Sequence, residues 1–107
     1  MLISTSEELA GYEVAEVLGV ARGSVIRAKH IGTDIVAALR NFVGGEVTEY
    51  TRLFAEAREQ ATDRMIENAR TQGADAVVAM RYSTSMVMAG TSEVMAYGTA
   101  VKLRRVG

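Results

Sequence analysis

The residues in this chain that could do chemistry are few, and the most suggestive group surrounds a pair of glycines. Gly44-Gly45 stands before the start of a long helical pattern, with Arg40 on one side and Glu46 and Tyr50 on the other. Unpaired backbone amides at a helix start favour anions. The segment lacks the lysine and spacing of a P-loop, and also the three glycines of a dinucleotide fingerprint. The pattern therefore points to an anion or small polar ligand, with Arg40, Gly44, Gly45, Glu46 and Tyr50 contributing to the rim of its site. Adjacent glycines also suit a plain tight turn.

Metal chemistry finds less material. The chain has one histidine, His30, and no cysteine, whereas heavy metals are usually held by several thiolates and imidazoles. One imidazole per chain makes a site only if a symmetric assembly gathers several copies. Met86 and Met88 offer thioethers, but two residues apart in a strand they share a face and pack into a core or an interface. Glu56, Glu59, Asp63 and Glu67 recur at spacings of three and four and form an acidic stripe suited to a hard cation. Arg52, Arg58, Arg64 and Arg70 interleave with them, which reads as ordinary pairing on a solvated helix face. No metal ligand set is expected. Ser24, Ser83, Ser85 and Ser92 have neither a triad context nor a nucleophile elbow. The sequence thus predicts no catalytic residue, no cofactor and no enzyme.

Composition sets the frame for these groups. With 107 residues, 49% hydrophobic, 23% charged and a formal net charge of -1, the chain reads as a single domain over 1–107. It has no basic surface for nucleic acid, since Lys102, Arg104 and Arg105 form only a short cluster of the kind found at a solvated strand end. Lack of cysteine removes disulfides and thiolate nucleophiles. No signal peptide or run of about 18 apolar residues is present, so a soluble cytoplasmic protein with no membrane partner is expected.

The elements follow from periodicity. From Thr48 to Gln72, Tyr50, Leu53, Phe54, Ala57, Ala61, Met65, Ile66 and Ala69 line one face of a helix, and Gly73 supplies the left-handed residue that follows it. A helix of this length spans roughly 36 Å at 1.5 Å per residue. That is long beside a radius of gyration near ~13 Å for a globule of this size, so part of the apolar face needs a neighbouring subunit. Tyr12 to Val20 reads as a strand with a kink or bulge, Gly23 as a turn, and Ser24 to Ala28 as a strand pairing back on it. Asp34 to Asn41 reads as a short helix, ended by Gly44-Gly45. Ala76 to Tyr82 is a buried strand, and Met95, Tyr97, Thr99, Val101 and Leu103 alternate in a last one. Between these, Met86, Val87 and Met88 either extend the strand or belong to a contact surface. Glu46 is expected to accept hydrogen bonds at the entry to the long helix, and Asp75 to fix the helix-to-strand connection. The fold class is α+β, a two-layer arrangement of an antiparallel sheet and a long helix.

These residues carry a resemblance. Val17-Leu18-Gly19-Val20 with Arg22-Gly23-Ser24, Gly44-Gly45-Glu46 with Tyr50, Ala57-Arg58-Glu59-Gln60-Ala61, Gly73-Ala74-Asp75-Ala76-Val77-Val78 and Tyr97-Gly98-Thr99-Ala100-Val101 together resemble the YbjQ-like family over nearly the whole chain. The resemblance implies a subunit of the dodecin-like kind and a homopentamer ring in which sheets and helices pack between subunits. It also implies a heavy-metal-binding label, and a family without a characterised activity. Partners expected on this reading are further copies of the chain and a small anionic ligand.

Overall fold

The computed structural model describes residues 1–28 and 48–106. The expected short helix at Asp34 to Asn41 and the Gly44-Gly45 turn lie outside these residues.

The long helix, α1 (Thr48–Thr71), forms on the predicted register. Ala57, Ala61, Met65 and Ala69 recur every four residues and are fully buried, while Leu53, Phe54 and Ile66 flank them half-buried. Its end follows from Gly73, whose φ of 80° is open to glycine at little cost. Gly73 N–H donates to the Arg70 carbonyl at 2.9 Å and Ala74 N–H to the Ala69 carbonyl at 3.1 Å. This pair of bonds is a Schellman termination.

A four-stranded sheet supplies the second layer, in the order β1, β3, β4, β2. The strands are β1 (Leu2–Ile3), β2 (Tyr12–Ala28), β3 (Ala76–Met88) and β4 (Thr91–Arg105). β4 pairs antiparallel with both β2 and β3, but β1 runs parallel to β3, so the sheet is mixed rather than wholly antiparallel. The N-terminal pairing carries no alternating pattern long enough to have been read from sequence. Ser4 N–H reaches the Val77 carbonyl, and the Ala79 and Met80 amides return to the Ser6 and Ser4 carbonyls. Those bonds hold a bulge between Val78 and Arg81 in which Ala79 sits at a φ of 53°, a left-handed conformation unfavourable for a residue with a Cβ.

Gly23 is not a turn. β2 runs unbroken through it as one 17-residue strand, bent by register shifts at Val14/Glu16 and Val17/Gly19. Glycine is needed there because α1 crosses directly over it. A Cβ would run into the Met65 backbone nitrogen and the Ala61 carbonyl, and would lie 2.6 Å from the Arg64 Cβ. Gly98 in β4 is crowded instead by the neighbouring strand β3, where an added Cβ would stand 2.6 Å from a Val77 methyl. Small residues on both layers let the helix lie close to the sheet.

β3 does not stop at Tyr82. It extends to Met88 and turns through Ala89 and Gly90 into β4, with Gly90 at a φ of 76°. Met86, Val87 and Met88 therefore stand at a hairpin tip and are exposed, which removes the core reading of the methionine pair. A register shift between Met86 and Met88 also breaks the alternation that would put them on one face.

The main core lies between α1 and the sheet, built from Ala21, Val25, Val77, Met80, Val94, Ala96 and Ala100 against the helix stripe. Ala76, Val78 and Val101 form a smaller cluster with Leu9 and Leu103. Residues paired directly across strands share a face. On the side away from α1, Val17 pairs with Val101, Val20 with Thr99, and Ile26 with Glu93. Val17 and Val20 remain 65% and 64% exposed. At one end of that face Leu9 packs over Ala76, Val78 and Val101; the stretch around Val20 and Ile26 has no covering element among the described residues.

Candidate functional site

Of the residues proposed from sequence for ligand binding, Arg40, Gly44, Gly45 and Glu46 lie outside the described residues, as does His30. Tyr50 stands in the first turn of α1. The acidic stripe behaves as helix surface: Glu67 pairs with Arg70 at 3.5 Å, with both side chains well exposed. No group of three or more His, Cys, Asp or Glu capable of holding a metal ion occurs among the described residues. The carboxy-terminal basic cluster is likewise a strand end, where Arg104 pairs with Glu13 at 2.8 Å across β4 and β2.

Asp75 does what its place beside Gly73 suggested. Its Oδ2 accepts the Leu103 N–H at 2.9 Å, and its own N–H donates to the Val101 carbonyl at 2.9 Å. The helix exit is thereby tied to β4.

A second polar system was not legible in sequence. Gln60, Arg64 and Asn68 recur every four residues on α1, beside the buried alanine stripe, and Gln72 follows at the same spacing just past the helix end. They reach the outer margin of β2, which has no strand neighbour on that side among the described residues. Gln72 Nε2 donates to the Val20 carbonyl at 2.9 Å, Asn68 Oδ1 accepts the Arg22 N–H at 3.1 Å, and Arg64 donates to the Ser24 carbonyl at 2.6 Å. Gln60 Oε1 accepts from the Arg27 guanidinium at 2.7 Å. The sequence reading placed Arg64 among charges pairing in solvent; its partner is instead a strand carbonyl.

Two depressions accompany these elements. One, of about 660 Å³, lies where α1 overhangs β3 and is lined by Ala55, Arg58, Glu59, Thr62, Asp63 and Tyr82. The Tyr82 and Thr62 hydroxyls stand 2.8 Å apart there. The other, of about 780 Å³, lies under residues 6–14, beside Leu103. On the open sheet face, Arg22, Tyr97 and Arg81 fall in one row across β2, β4 and β3. Ser24 and Ser83 flank Met95 in the next row. Neither serine has a histidine or carboxylate hydrogen-bond partner among the described residues.

Residues 1–104 match the family model described as "Putative heavy-metal-binding". The chain belongs to the YbjQ-like family. Its curated relatives in this family carry the name UPF0145 protein. One from Methanosarcina acetivorans is 57% identical over 96% of this chain and 97% of its own length. One from Archaeoglobus fulgidus is 54% identical over 97% of this chain and 96% of its own length. Among solved structures, a protein of unknown function from Pediococcus pentosaceus, assigned to the DUF74 family, superposes with a TM-score of 0.66. It covers 97% of this chain and 98% of its own at 18% identity, a likeness of fold alone. YbjQ-like membership thus rests on the full length of the chain and not on one motif.

Proposed function

We propose that this YbjQ-like protein is a cytoplasmic, non-enzymatic subunit of a homopentamer ring of the dodecin-like kind, whose inter-subunit clefts hold a small anionic ligand. The observation that carries the assembly is the uncovered sheet face. Val14, Val17, Val20 and Ile26 stand exposed on it, and the Met86–Met88 hairpin tip projects beyond the core. Burial of such surface contributes roughly 25 cal/mol per Å². The described subunit is also extended, with a radius of gyration of 17.5 Å against about 13 Å for a compact chain of this length. Neighbouring copies would cover what one copy leaves open, as the family resemblance implies.

The ligand half rests on the helix-end argument, with Arg40, Gly44, Gly45, Glu46 and Tyr50 at the rim. A thermal-melt series on the purified ring tests it. Small oxyanions should raise the melting temperature in proportion to the logarithm of their concentration once above Kd. An unchanged melting temperature across the series would remove the ligand reading and leave the ring.

A metal reading is favoured by the description of the family model. In that case His30, carboxylates or methionine sulfurs repeat around the ring axis to complete a ligand set. It predicts a fixed metal stoichiometry per ring, lost in His30→Ala or carboxylate variants; binding unchanged in those variants would remove it.

A further inference from the structure

We infer that the depression between α1 and β3 is a binding site for a small zwitterion, a free amino acid with an apolar side chain. It encloses about 660 Å³ and is lined by Ala55, Arg58, Glu59, Thr62, Asp63 and Tyr82. The five helix residues recur at spacings of three and four, so they form one flank of α1. Tyr82 meets that flank from the sheet, because it pairs directly with Ala96, which is buried against the helix. The site therefore lies on the helix side of the sheet, opposite the face that neighbouring copies cover in the proposed ring.

The charges on this flank are those that ordinary helix pairing leaves out. Opposite charges three or four residues apart hold each other, while immediate neighbours such as Arg58 and Glu59 do not face one another. Arg58 has no acid at any of those spacings, and neither Glu59 nor Asp63 has a base at any of theirs. What Glu59 has, one turn on, is Asp63, and two like charges so placed repel. No group from the sheet answers them, since the ion pairs among the described residues are Arg70 with Glu67 and Arg104 with Glu13. One cation and two acids thus line a single depression without partners among the described residues.

The contact between the layers assigns the ends of the ligand. Thr62 Oγ1 donates its one proton to the Arg58 carbonyl at 2.8 Å. The Tyr82 hydroxyl, 2.8 Å from Thr62 Oγ1, is therefore the donor in that pair, and its own oxygen remains an acceptor. An ammonium group suits this oxygen and the Glu59 and Asp63 carboxylates; a carboxylate suits the Arg58 guanidinium. A simple anion would meet two acids here and a simple cation would meet Arg58, whereas a molecule carrying both charges satisfies both. No group of three or more His, Cys, Asp or Glu that could hold a metal ion occurs among the described residues. The Tyr82 ring, 47% exposed, and the Ala55 methyl supply the apolar wall against which a side chain lies. This site is separate from the anion rim at Gly44-Gly45 and does not rest on it.

Isothermal titration of the intact protein with leucine, N-acetylleucine and leucinamide tests it. Expected is saturable binding of leucine, with each derivative about tenfold weaker because one charged end is blocked. Arg58→Gln should bring leucine down to the leucinamide value, and Asp63→Asn should bring it toward the N-acetylleucine value. Both positions are exposed on the helix and make no side-chain hydrogen bond or ion pair among the described residues, so the fold survives the substitutions. No binding of leucine at about 5 mM, or binding that neither substitution weakens, would overturn the site. So would N-acetylleucine binding more tightly than leucine, which is the behaviour of a plain anion site. The oxyanion melting series is independent of these titrations, so the zwitterion site can fail while the anion reading stands.

Discussion

Asn68, in the last two turns of α1, accepts the backbone N–H of Arg22 in the middle of β2 at 3.1 Å, a contact spanning 46 residues of sequence. It is the centre of a clasp. Gln72 takes the Val20 carbonyl and Arg64 the Ser24 carbonyl on the same margin. An open strand margin is a template for pairing with other chains, and here three successive outward positions are closed by side chains of α1 and of Gln72 just past its end.

Replacing Asn68 with Ala should therefore leave the Arg22 amide to solvent. A cost of about 1 kcal/mol is expected, the net worth of one such bond. Amide exchange at Arg22 should accelerate while exchange in β4 stays slow. Equal acceleration in both strands would mean that the bond stabilises the whole sheet and not its margin.

Gly23→Ala should be among the most damaging single changes. The added methyl meets helix backbone on the far side, so α1 must lift from the sheet, at about 3 kcal/mol as for severe overpacking. Denaturant midpoints at constant m-value measure it. A loss under about 1 kcal/mol would show that the helix can shift freely.

Ala79 predicts the opposite sign. Its φ of 53° is one that glycine adopts readily, and its amide is already satisfied by Ser6. Ala79→Gly should be neutral to stabilising by up to about 1 kcal/mol, whereas Ala79→Val should cost about 2 kcal/mol. Thermal melts of the pair decide the order, and a destabilised glycine variant would contradict the strain argument.

Asp75→Ala should cost about 1 kcal/mol by releasing the Leu103 N–H. Asp75→Asn retains an acceptor and should recover part of that loss. Parallel melts of the two variants provide the comparison; equal losses would mean that the carboxylate charge, not the acceptor, holds the connection.

Much of this fold was legible because it rests on local periodicity. The Ala57, Ala61, Met65, Ala69 stripe announced the buried face of α1, and Gly73 its end. Gly23 misled for a physical reason: a glycine required by a crossing helix looks in sequence like a glycine required by a turn. β1 was invisible since a two-residue strand has no period. The edge clasp and the Arg22, Tyr97, Arg81 row depend on register, which only the folded sheet supplies. The Gly44-Gly45 ligand rim came from a helix-end pattern, and its residues other than Tyr50 lie outside those described.

Val87 connects the hairpin tip to assembly. It is exposed in the single chain, so Val87→Glu should leave a monomer's fold intact. If the tip lies at a subunit contact, the substitution buries an unpaired charge there and dissociates the ring. Light scattering on the eluting variant would report the outcome, and an intact ring would place Val87 outside the interface.

Native mass spectrometry of protein purified without chelator or affinity metal tests the central claim most directly. The account predicts one dominant species at five times the 11.5 kDa chain mass, with reproducible extra mass from a retained small anion. A spectrum dominated by the monomer at low ionic strength and high protein concentration would contradict it.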